Sequence, residues 1–475
     1  MMRLLNFAIF LLFASNANSQ PFYFRHYQVE HGLSNNAIYC FAQDRDGFIW
    51  VGTKGGLNRF DGRYFKTFRI PSKDPTVLSR DLVYSLAIDR AGALWVGSEK
   101  GLFRFDSKSE TLVPFLDSLT AIHSIHINSK GELWFISKSA IHAYNFKTRR
   151  HTAFPPAKYF IATALCETED GNMWFSSVDG CIYRLDSASD GFTKYPVFSR
   201  RSGVLSKRIE KIASDGNGSI YIGTASHGIK KFSPSSLSYR DLITYNEDQT
   251  AIHVRDILKV NQQEVWFATE SGIFILNLRS GKFQNIKKRF LNPYSLSDNA
   301  VYALLKDQEG GIWAGTYFGG INYLPRLPFT FQKLFPDYSK MSLSGNTVRE
   351  ICQDKFGNLW IGTEDGGLNK LNPKTNSIKS FLPNGKPSSI SNTNIHALLE
   401  IDDELWIGTF EHGLDIMDIS TGEVKKHYRR GSSATDLQSD FIISMLRTAQ
   451  KKHYVGTSNG LFIFNKKTDS FTLEK

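Results

Sequence analysis

Apolar positions along this chain fall in short clusters that recur in a fixed order. Trp360-Ile361-Gly362-Thr363 is followed by Gly366-Gly367-Leu368 and then by Leu371. The same order can be written outward from Trp50, Trp95, Trp134, Trp174, Tyr221, Trp266, Trp313, Trp406 and Tyr454, with 39 to 48 residues between successive copies. Ten aromatic signatures at that period predict a β-propeller, each unit giving one four-stranded blade that must stack on its neighbours to bury both faces. Function is therefore to be sought where the copies differ.

Repeat eight shows the predicted elements: strands at Val348-Arg349-Glu350-Ile351, Leu359 to Thr363, Leu368 to Leu371 and Ile378 to Phe381, with the turn Asp354-Lys355-Phe356-Gly357 between the first two. The Asp-x-x-Gly element returns as Asp44/Gly47, Asp89/Gly92, Asp215/Gly218 and Asp307/Gly310. Asp bonds its own backbone and Gly takes the positive φ, so these carboxylates are structural. Fourteen positions before the aromatic residue stand Asn36, Asp81, Asn299, Asn346, Asn392 and Asp440, which are expected to organise the entry to each innermost strand. The turn after the signature is one residue longer in repeats five, seven, eight and nine, where it carries His227, Tyr317, Phe318, Asp365 and His412.

A propeller has to join its first and last blades. A strand-like segment precedes repeat one, Pro21 to Tyr27, and a second precedes repeat eight, Pro328 to Leu334. The expected organisation is a signal peptide at residues 1–19, one complete seven-bladed β-propeller at 20–327, and a partial second β-propeller of three blades at 328–475. One ring of ten blades is the alternative. Arg3, the apolar run Leu4 to Phe13 and the small residues Ala17-Asn18-Ser19 carry the export expectation, since that run is about half of the roughly 20 residues a membrane span needs. No later stretch is long and apolar enough to span a bilayer.

With 41% hydrophobic and 22% charged residues the chain is an ordinary folded one, which argues against disorder. Its net charge of +11 is spread over every repeat, giving a solvated basic surface or one drawn to acidic glycans or lipid. Export argues against nucleic acid. Cys40, Cys166, Cys181 and Cys352 sit in three different repeats and read as small buried hydrophobes; no spacing resembles a metal site and no cofactor motif is present.

The unit W-[IV]-G-T-x-x-G-G-L, the Asp-x-x-Gly turn and the entry His31-Gly32-Leu33-Ser34-Asn35-Asn36 make the chain resemble the two-component regulator propeller repeats, and most of all the periplasmic sensor region of Bacteroidetes hybrid two-component systems. The resemblance implies periplasmic ligand sensing, with oligosaccharides from glycan breakdown as the typical ligands. In that family two seven-bladed propellers precede a small β-sandwich, a membrane helix and a kinase. The last four blades and everything after them fall outside this sequence, so kinase output is not implied for it, and the open end of the second propeller is a place for a protein partner.

The residue after the apolar position opening each innermost strand varies: Tyr39, Tyr84, His123, Thr163, Glu210, Arg255 and Tyr302, then Arg349, His396 and Ile443. Tyrosines beside an Arg/Glu pair suit a sugar cleft, offering flat apolar faces and directed hydrogen bonds; the alternative is mutual satisfaction around a water-filled channel. Arg80, Lys207 and Arg208 near the same openings could meet an acidic sugar or be solvated. A ligand-binding sensor is the leading reading. The alternatives are a protein-docking scaffold and a propeller glycosidase or lyase, for which His123, Glu210 and Tyr302 supply residue types but no motif.

Overall fold

The computed structural model describes residues 22–71, 81–116, 119–156, 158–186, 191–199, 206–326, 333–337 and 341–474. The expected signal peptide, Arg80 and most of the segment from Pro328 to Leu334 lie outside the described residues. Among the described residues ten four-stranded antiparallel sheets are formed, each from strands consecutive in sequence except one. We number these blades one to ten in chain order of their innermost strands. Two compact units result, Met1–Pro328 with blades one to seven and Phe329–Lys475 with blades eight to ten.

The exceptional sheet is blade seven. Its outer strand is Arg25–Tyr27, which pairs with Ile321–Leu324 through Arg25 opposite Tyr323 and Tyr27 opposite Ile321. Among the described residues of the segment expected to close the ring, the strand ladder covers these three, and the Phe24 amide bonds to the Tyr294 carbonyl beside it. Blade seven also lies against blade one, since Ile38, Phe41 and Val51 share a core with Ala303, Trp313 and Ile321.

In the first unit each signature strand is buried on both faces, as an interior strand of stacked sheets must be, whereas that of blade ten is fully buried on one face only. Its residues have separate tasks. The indole of Trp50 donates to Asp44 at 2.6 Å, and Trp95, Trp313 and Trp360 do the same to Asp89, Asp307 and Asp354, so the turn carboxylate also fixes the aromatic ring. The signature glycine is a socket. A β-carbon on Gly52 would strike Val83 of the next blade, one on Gly223 would strike Val254, and one on Gly315 would strike Ile38 across the closure. The apolar residue opening each innermost strand is thus a knob seated in the preceding blade, and the pairing adapts in volume. Where the socket holds Ile136, the knob is Ala162, both in one core cluster.

The polar residues before each innermost strand tie down the connecting loops. Asn36 accepts from the Val29 amide, Asn299 from Lys288 and Asp440 from Arg430, while Asp81 receives the Lys100 ammonium at 2.8 Å. All four cysteines are free. Cys166 and Cys181 are buried as expected, but Cys40 and Cys352 are only half-buried. In the second unit Val348 is 41% exposed, and a β-carbon on Gly456 would meet only Ser444 of its own blade, so one knob and one socket there are unfilled.

Candidate functional site

The variable column has a common backbone cause. In each blade the ladder between the first two strands slips by one residue, between Ile38 and Cys40, Val83 and Ser85, Ile122 and Ser124, Ile209 and Lys211, Val254 and Asp256, and Val301 and Ala303. The skipped residues are Tyr39, Tyr84, His123, Glu210, Arg255 and Tyr302. A bulge leaves its extra residue unpaired and re-aims its side chain. The knob can then enter the neighbouring blade while the next side chain turns toward the axis.

In the first unit these side chains meet. Tyr39 lies edge-on to Tyr84 at 5.9 Å and to Tyr302 at 6.1 Å, so blades one, two and seven share a tyrosine cluster. His123 continues it, 4.7 Å from the Tyr84 ring. Arg255 stacks its guanidinium 4.6 Å above Tyr302 and pairs with Glu270, whose carboxylate also accepts from the Tyr302 hydroxyl at 3.3 Å. Arg208 donates to Glu210 at 2.8 Å. Lys207 is not brought into the cluster; its β-carbon packs over Gly180 in a turn of blade four.

Two members were not predicted as site residues. Tyr317 lies 5.2 Å from Tyr302 and 6.5 Å from Tyr39, and Glu270 holds Arg255. Both immediately follow the signature Thr, and their amides bond to the loops entering the innermost strands, Tyr317 to Ala300 and Glu270 to His253. That position varies as much as the bulge column, running Lys54, Glu99, Lys138, Val178, Ala225, Glu270, Tyr317, which is the signal that identifies it. Phe318, next in the turn, is 73% exposed beside Tyr317.

The electrostatics of the mouth are balanced. Burial and the surrounding tyrosines push the Tyr39 hydroxyl up to about 12, so it stays a neutral donor. Burial is the largest influence on Glu270 and opposes its charge, but the hydrogen bond and charge of Arg255, with the Tyr302 hydroxyl, together outweigh it and hold the carboxyl below its ordinary range. Burial, with the Arg208 charge, lowers the His123 imidazole and keeps it neutral. Deeper along the axis Lys211 pairs with Asp256 at 2.8 Å. Burial pushes the Cys166 thiol up to about 12, so it offers no thiolate. Among the described residues no group of three or more His, Cys, Asp or Glu side chains could hold a metal ion. No helix there is long and apolar enough to cross a membrane. The mouth is a neutral, aromatic, hydroxyl-rich surface whose charges are internally paired.

The family described as two component regulator propeller matches residues 32–55, 295–318 and 342–365. Over 70 residues the chain is 39% identical to a protein named histidine kinase P4 from Formosa agariphila, a stretch that is 15% of this chain and 5% of that protein. The extracellular domain assigned to a hybrid two component system of B. thetaiotaomicron superposes with a TM-score of 0.63 at 23% identity, covering 96% of this chain and 67% of that one. A virginiamycin B lyase from Staphylococcus aureus matches at 14% identity and a TM-score of 0.50, covering 65% of this chain. At such identities these two likenesses establish the fold. With its fold matched to propellers and its repeats matched at three places, the chain is a β-propeller carrying two component regulator propeller repeats.

Proposed function

We propose that the protein is an exported, periplasmic sensor of a two-component signalling system, and that its first unit binds a neutral oligosaccharide derived from a glycan at the axial mouth. The observation that carries this reading is the joining of Tyr39, Tyr84, Tyr302 and Tyr317 around Arg255 and Glu270. Flat rings with hydroxyl and guanidinium donors at their edges are what a sugar face requires, and charges already paired favour an uncharged ligand. The test is calorimetry of the protein with neutral oligosaccharides. Single changes Tyr84→Ala, Arg255→Ala and Tyr302→Ala should each weaken binding by about 1 to 3 kcal/mol, the range for lost stacking or an unpaired buried polar group. Unchanged affinity in all three would remove the site from the axis.

A protein-docking scaffold is the second reading. It is favoured by the second unit, where Ile351, Ile443 and Leu446 are each at least half exposed.

A further inference from the structure

At one hairpin position, in the first unit and again in the second, an ion pair joins adjacent blades. The hairpin between the third and fourth strands of blade two begins at Asp106 and places Glu110 four residues on, at φ 51°. From there Glu110 reaches back to Arg59 of blade one at 3.1 Å and to Lys66. The same hairpin in blade ten begins at Asn465 and places Asp469, φ 53°, against Lys426 and Tyr428 of blade nine. An acid on one blade thus neutralises bases on the blade before it.

Between blades two and three the sign is reversed. The hairpin of blade three begins at Asn145, and the fourth residue on is Arg149, at φ 57°. The third-strand residue of blade two equivalent to Arg59 is Arg104. Among the described residues no carboxylate pairs with either. Both line a cavity of about 1250 Å³ with Lys130, Lys147, Phe146 and Val113. Phe146 and Val113 expose 36% and 49% of their surface. Five acids also line the cavity against seven Arg and Lys side chains: Asp44 and Asp89 hold the Trp50 and Trp95 indoles, Asp106 binds Ser109, Glu132 takes the amides of Asn128 and Asn145, and Asp46 is the fifth.

We infer that this groove is an anion site, holding a carboxylate or sulfate of an acidic oligosaccharide between Arg104 and Arg149 with Phe146 and Val113 as its apolar wall. The guanidiniums supply the planar donor forks that oxyanions accept. A groove of this size, open and lined by residues of blades one, two and three, suits a chain of several sugars better than a lone ion. The inference does not rest on the axial site, and failure of one leaves the other standing.

Calorimetry of the full chain with three hexasaccharides separates the possibilities: one bearing carboxylates, one bearing sulfates, and one neutral. We expect one or both acidic ligands to bind, with affinity falling as salt rises. Arg149→Glu, which copies the acid of blade two, and Arg104→Ala should each weaken that binding at least tenfold, while the melting temperature reports that the fold is kept. Preference for the carboxylate over the sulfate ligand, or the reverse, names the group recognised. The inference is overturned if neither acidic ligand binds, if both variants bind unchanged, or if an acidic peptide such as polyglutamate binds more tightly than either saccharide.

Discussion

Asp415 carries no exposed surface, yet it is a carboxylate. It occupies the third-strand position where blade one has Asn58 and blade eight has Asn369. Those asparagines accept from a loop amide and from a hydroxyl on the outer strand, Thr67 or Ser380. In blade nine the loop amide of Ser391 is kept at 2.7 Å, and the hydroxyl is replaced by the His427 ring at 2.6 Å, whose other nitrogen faces the Pro387 carbonyl. Removing the ring leaves a buried charge without its partner, so His427→Ala should destabilise the protein by about 3 kcal/mol or more in chemical denaturation. The pair Asp415→Asn with His427→Ser rebuilds the arrangement of blade eight and should recover most of that loss. If the double variant is no better than the single one, the carboxylate is not what His427 supports.

Between elements the decisive contact is the knob in its socket. Gly52, Gly223 and Gly315 leave room for Val83, Val254 and Ile38, whereas Ile136 faces Ala162, so what is maintained is the volume across the seam and not either residue. Ala162→Ile alone overfills the seam and should cost about 1 to 3 kcal/mol. Combined with Ile136→Gly, which creates the glycine socket of the other blades, it should be much better tolerated, a coupling a double-mutant cycle measures. This contact also sets what could be read from sequence. The repeats were legible because Trp, Gly and Thr each answer to a demand every blade makes. The bulge column was legible because it varies against that background. Glu270 escaped, and Tyr317 was marked only as a residue of a longer turn, because they lie on a different turn from the bulge and join Arg255 and Tyr302 only once the blades stand side by side. Asp415 escaped because nothing along the chain distinguishes a buried carboxylate from a solvated one.

At the scale of the whole molecule the two units differ in how their faces are covered. Every blade of the first unit has a neighbour on both sides, including blade seven against blade one. In the second unit Val348 and Gly456 have no counterpart across a seam, and Ile351 and Leu446 are 56% and 59% exposed. A chain ending at Pro328 should therefore unfold in one transition that is the same by fluorescence and circular dichroism. Residues 329–475 expressed alone should bind a hydrophobic dye or self-associate. A monomeric, dye-negative second unit beside a non-cooperative first one would refute this division of stability.

The pairing of Arg25–Tyr27 with Ile321–Leu324 also has a consequence for the order of events during folding. This strand must wait for a partner that lies about 300 residues later in the chain, while the blades between them form from strands consecutive in sequence. Throughout that interval the strand is an unpaired edge, the kind of segment that recruits other chains. Its brevity, and the basic Arg25 and ionisable His26 among its three residues, make it a poor template for such recruitment. The latch that completes the ring is short and polar enough to be left open safely until the last blade arrives.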